Sequence, residues 1–108
     1  MTIIITTKSA DELLEKLKHG VDNTCWEYQI HGNYFTFFDN KDITIMNYNR
    51  RAKLIPHIEE DLFVLKFVIK TKYENIELTN EMADFYAARF KEMLNQHFSS
   101  LCDSITIE

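Results

Sequence analysis

Apolar residues recur every three or four positions in only two stretches of this chain, residues 9–20 and 79–101, and between them the period falls to two. That interval has no helix-period segment to serve as a crossover, which successive parallel strands require. Strands joined directly pair antiparallel, and two amphipathic helices outside that run must bury their stripes against the sheet. The pattern predicts an α+β fold, a two-layer sandwich of a mostly antiparallel sheet with two helices packed on one face.

The helix ends are marked locally. Ser9-Ala10-Asp11-Glu12 has the capping-box pattern, in which the serine hydroxyl accepts from the N3 amide and the glutamate reaches back. Leu13, Leu14 and Leu17 form the stripe, and Gly20 permits the left-handed stop. The second helix is capped by Thr79 or Asn80, with Glu81 and Asp84 near its positive end. Its stripe comprises Met82, Phe85, Tyr86, Arg89, Phe90, Met93, Leu94, His97, Phe98 and Leu101.

Between and around the helices lie the strands. The β-branched run 2–7 reads as one, with Ser104 to Glu108 as the last. Trp26, Tyr28 and Ile30 share the dry side of a strand that turns at Gly32-Asn33 into Tyr34 to Phe38. After a turn at 39–42, Ile43 to Tyr48 reads as the third strand of a meander, and 50–61, which contains Pro56, as an irregular loop. Phe63, Leu65, Phe67 and Ile69 line one side of a strand over 62–70; Val64 and Val68 on its other side place it centrally in the sheet. Tyr73 to Leu78 reads as a further strand. The sheet face opposite the helices then carries, depending on register, some of Tyr34, Phe38, Tyr48, Val64 and Val68; left uncovered, a patch of that kind marks an interface, and the alternative is that sheet twist and the 50–61 loop bury it.

The 108 residues make one compact domain, 1–108, being too few for two cores. An apolar share of 45% separates the chain from disordered sequences. Met1–Thr7 lacks the basic leader of a signal peptide, no run is long enough to span a bilayer, and Cys25 and Cys102 form no staple pattern. Free thiols point to a reducing compartment, the cytoplasm of a bacterium or of a host cell.

Chemistry is tested by spacing. His19, His31, His57, His97, Cys25 and Cys102 include no close pair such as Cys-x-x-Cys, so no metal and no cofactor is expected. Cys25 and His31 lie six residues apart along a strand, about 20 Å, too far for a nucleophile and its base. Asp39, Lys41 and Asp42, and Glu59-Glu60-Asp61 with Lys66, resemble the acid-and-lysine sets of metal-dependent nucleases, but they read equally as turn and loop residues. With two glycines in the chain, neither a phosphate-binding loop nor a nucleophile elbow has room. No catalytic residue is assigned, and the chain is expected not to be an enzyme.

Binding is the remaining class. The net charge of −5 lies wholly in residues 55–108, which carry ten acidic and five basic side chains. That disfavours a nucleic-acid partner and suits docking on the basic functional surface of a larger protein. The expected function is that of a small acidic protein-binding module: an inhibitor, immunity-type protein or adaptor. Its anchors would be Tyr34, Tyr48, Glu59, Glu60 and Asp61, joined by Arg50 and Arg51. The alternatives are a self-associating module, dimerising through the open sheet face or strand 2–7, and a weak nucleic-acid binder using the basic cluster 49–53.

Overall fold

The computed structural model describes residues 1–108. Its elements are β1 (Thr2–Thr6), α1 (Ala10–Gly20), β2 (Trp26–Gln29), β3 (Tyr34–Phe37), β4 (Ala52–Ile58), β5 (Val64–Thr71), α2 (Asn80–His97) and β6 (Ser104–Ile107). Short 3₁₀ segments occupy Ile43–Tyr48 and Ser99–Leu101. The six strands form one sheet in the order β2-β3-β4-β5-β1-β6, every neighbouring pair antiparallel, with both helices packed against it. The chain thus adopts the two-layer α+β sandwich expected from its periodicity, with β5 central.

The core lies between the layers. Ile3 and Ile5 of β1, Leu54 of β4, and Leu65, Phe67 and Ile69 of β5 meet Leu13 and Leu17 of α1 and Tyr86, Phe90 and Leu94 of α2. Rings dominate one end: Trp26 is edge-on to Phe37, Tyr86 and Phe90, and Phe67 is edge-on to Phe35 and Phe90. Edge-to-face contact sets the positive ring edge against the negative face and makes aromatic packing directional. Alanines at 83 and 87 let α2 approach the sheet, while Arg89 and His97, assigned to its stripe by spacing, are half-buried and exposed, respectively.

Both helix starts follow the sequence signals. Ser9 Oγ accepts from Glu12 N at 3.3 Å and Thr79 Oγ1 from Met82 N at 3.1 Å. The Glu12 carboxylate does not turn back to the cap but pairs with Lys16 at 3.0 Å.

The middle of the chain departs from the alternation pattern in three places. Residues 43–48 form a 3₁₀ segment rather than a strand. Asp42 Oδ1 accepts from Thr44 N at 3.0 Å, and the Asn49 amide accepts from Asp39 N at 2.8 Å and donates to Asp39 O at 3.0 Å. These local bonds close 39–49 into a loop, and the left-handed Arg50, φ 53°, turns the chain back beside β3. The third strand of the meander is therefore β4, within the stretch 50–61 expected to be irregular. Pro56 is accommodated because Lys72 N donates to Arg51 O at 3.1 Å, so the odd-numbered residues of β4 bond β5. The missing donor of Pro56 faces the other side, where pairing with β3 stops at Phe35↔Leu54. Finally, residues 73–78 form no strand; both edges of β5 are already occupied by β4 and β1.

Strand 2–7 is an interior strand, with β5 on one side and β6 on the other, so it offers no edge for dimerisation. The free edges are β2 and β6.

Candidate functional site

Strand geometry disperses the residues singled out from the sequence. Arg50 and Arg51 stand before β4 and Glu59, Glu60 and Asp61 after it, so eight residues of extended chain separate the basic from the acidic cluster by about 26 Å. They do not form one loop of opposed charges.

Arg50 makes a two-pronged pair with Glu27, Nε to Oε1 at 2.8 Å and Nη2 to Oε2 at 2.9 Å, and its guanidinium covers the Phe38 ring at 4.1 Å. The guanidinium holds the Glu27 carboxyl below its ordinary range. Arg51 contributes its backbone: its N–H donates to the buried Tyr86 hydroxyl at 3.0 Å. Tyr48 stacks on Phe85 of α2, centroids 4.0 Å apart, and donates to Glu81 at 2.7 Å. It is therefore on the helix side, not on the open sheet face as expected. Tyr34 is on that open face, half-buried, with the Lys53 ammonium 5.2 Å above its ring, and its ring lies so close to Gly32 that a β-carbon there would stand 2.5 Å from it. The two tyrosines cannot share a ligand.

The acidic residues occupy the tip of the β4–β5 hairpin. Glu59 pairs with Lys66 at 3.3 Å, Asp61 Oδ1 accepts from Phe63 N at 2.9 Å, and Glu60 is exposed with no partner. Next to them stand two large apolar side chains in solvent, Leu62 at 55% and Phe63 at 62% exposure. Their backbone is held: Ala10 N donates to Leu62 O at 2.8 Å and Thr7 N to Phe63 O at 2.9 Å. Leu62 O thus serves an orphan donor at the start of α1, and the tip is fixed where β1 passes into that helix. The alternation pattern had assigned Phe63 to the buried side of its strand; β5 begins one residue later, so the ring escapes the core.

Two clefts flank α2. One of about 220 Å³ is lined in part by Asn47, Arg51, Tyr73, Ile76, Leu78 and Met82. The other, about 250 Å³, is lined in part by Cys25, Trp26, Arg89, Glu92 and His97. Cys25 is exposed as a residue, yet partial burial of its thiol in this cleft, with the Asp39 carboxylate beside it, raises its pKa and opposes thiolate formation. No three His, Cys, Asp or Glu side chains are placed to hold a metal ion, and no helix is long and apolar enough to cross a membrane.

Against this geometry, no protein-family model, curated protein or solved structure matches the chain.

Proposed function

We propose that this chain is a non-enzymatic module that binds a larger protein, covering part of its surface as an adaptor, inhibitor or immunity-type protein does, and that residues 59–63 are its contact. The observation that carries the reading is the pairing of exposure with rigidity at the tip. Leu62 and Phe63 place their side chains in water while hydrogen bonds from Thr7, just past β1, and from Ala10 of α1 fix their backbone. A pre-ordered apolar anchor loses little further entropy on binding and serves as a hot spot, and the carboxylates around it steer the tip toward a basic surface.

The test is affinity capture from cells with the wild type, with Leu62→Ser/Phe63→Ser, with Glu60→Lys, and with Ile43→Ser as a control for a still more exposed apolar residue elsewhere. A protein retained by the wild type and the Ile43 variant but lost from the tip variants is the expected outcome. A capture profile identical across all four refutes the assignment.

A further inference from the structure

Sheet register sorts the charges in a way that their order along the chain conceals. Of the 17 acidic residues, Glu27 alone lies in a strand, and Arg50 engages it. The helices carry Asp11, Glu12, Glu15, Glu81, Asp84 and Glu92. On the sheet face away from them, Lys53 stands directly opposite Lys70, and His57 directly opposite Lys66, whose ammonium meets Glu59 of the hairpin tip at 3.3 Å. Between these two rows lies a third, in which Ile55 faces Val68. An acidic protein thus presents a basic face whose nearby carboxylates, Glu27 and Glu59, are each paired with a cation, with an aliphatic seam across its centre and its unpaired charge in the Lys53–Lys70 row. Lys53 and Lys70 form no ion pair, although directly opposed like charges destabilise a sheet.

We propose that this face is a second binding surface, which meets the hairpin tip only through the Glu59–Lys66 pair, and that its occupant is an acidic segment of a partner protein that sets an aliphatic side chain on Ile55 and Val68 with carboxylates on either side. The two basic rows are four residues apart along the strands, about 13 Å, close to the rise of eight or nine residues of helix. A single-stranded nucleic acid would need rings on which to stack. The seam has none; Tyr34, at its margin, is half-buried beneath the Lys53 ammonium, and Phe38 lies beneath Arg50.

The experiment is fluorescence anisotropy on the full chain. Its probes are a labelled helical peptide with one leucine between two glutamate pairs about eight residues apart, the same peptide with serine for leucine, and an oligothymidylate. The leucine peptide should bind more tightly than the serine one and weaken with salt. Its affinity should fall at least about tenfold in Lys53→Glu/Lys70→Glu, a loss equivalent to ~1.4 kcal/mol, and should be unchanged in Leu62→Ser/Phe63→Ser, which separates this surface from the tip. Lys70→Glu alone replaces a repulsive pair with an attractive one; it should stay folded and also bind less. Tighter binding of oligothymidylate, self-association lost in the same lysine variants, equal binding of the two peptides, or no peptide binding would each overturn the assignment.

Discussion

Tyr86→Phe removes a hydroxyl that joins two separate backbone segments. The Tyr86 ring is fully buried, and its hydroxyl donates to Tyr48 O at 2.6 Å while accepting from Arg51 N at 3.0 Å. One atom of α2 thereby ties the end of the 3₁₀ segment to the entry of β4, on either side of the left-handed residue Arg50. The phenylalanine ring fills nearly the same volume, so packing is preserved and the cost comes from two backbone groups losing their partner. An unsatisfied buried group costs about 1–3 kcal/mol. Both bonds lie partly at the surface, where water can replace one of them, so the expected loss is ~2 kcal/mol in total. With about 2.1 cal/mol/K per residue of unfolding entropy, that corresponds to a Tm lower by roughly 9 °C for a chain of this length. Thermal unfolding by circular dichroism measures the loss, and hydrogen exchange at the Arg51 amide locates it. Tyr48→Phe is the comparison, since its hydroxyl meets only the exposed Glu81 and its removal should move Tm by less than about 2 °C. A Tyr86→Phe protein that melts with the wild type, with Arg51 still protected, would refute the claim that this hydroxyl holds the 48–51 connection.

Three further outcomes are expected. Lys70→Glu turns the cross-strand Lys53–Lys70 pair from repulsive to attractive and should stabilise the fold by ~0.5 kcal/mol at low salt, the gain shrinking as salt is added; a fall in Tm counts against the register argument. Because Arg50 lowers the folded-state pKa of Glu27, their pair contributes stability above the unfolded carboxylate pKa and loses it as pH falls through the lower folded value. The Tm gap between wild type and Arg50→Gln should therefore be full at neutral pH and close in the acid range, and a gap that widens on acidification contradicts it. Asp39→Asn should speed alkylation of Cys25 at neutral pH, since the Asp39 carboxylate raises the thiol pKa; an unchanged rate of iodoacetamide labelling denies that coupling.

Residues close in sequence are parted by the sheet, and residues alike in type fall on opposite sides of it. Arg50-Arg51 and Glu59-Glu60-Asp61 are near neighbours in sequence, and a loop would have made them neighbours in space; β4 holds them at opposite ends instead. Tyr34 and Tyr48 share an aromatic type but not a side of the sheet. Glu60 is exposed beside Leu62 and Phe63, yet Phe63 continues the alternation of Leu65, Phe67 and Ile69, which by itself places it in the core. A boundary shifted by one residue is invisible to period-two patterning, and the only local sign was Asp61, whose carboxylate makes the turn that ends before Val64.

What was legible from the sequence is what short-range physics controls. Caps at Ser9 and Thr79, the two helical stripes, the turn at Gly32-Asn33 and the central placement of β5 all arise from hydrogen bonds within a few residues or from burial periodicity along one element. The class of fold follows, because two helices and a run of directly connected strands have few ways to hide their apolar faces. Tertiary structure decided the rest. Segment 43–48 has a strand's composition and 52–58 contains a proline, yet the second pairs with β3, since the Asp39–Asn49 bonds remove the first from competition and the missing donor of Pro56 falls where β3 has ended. The same register gathered Lys53, Lys66 and Lys70, spread over eighteen positions, onto one face of an acidic chain. Net charge is a sum over residues, whereas recognition depends on which of them share a surface, and strand pairing decides that.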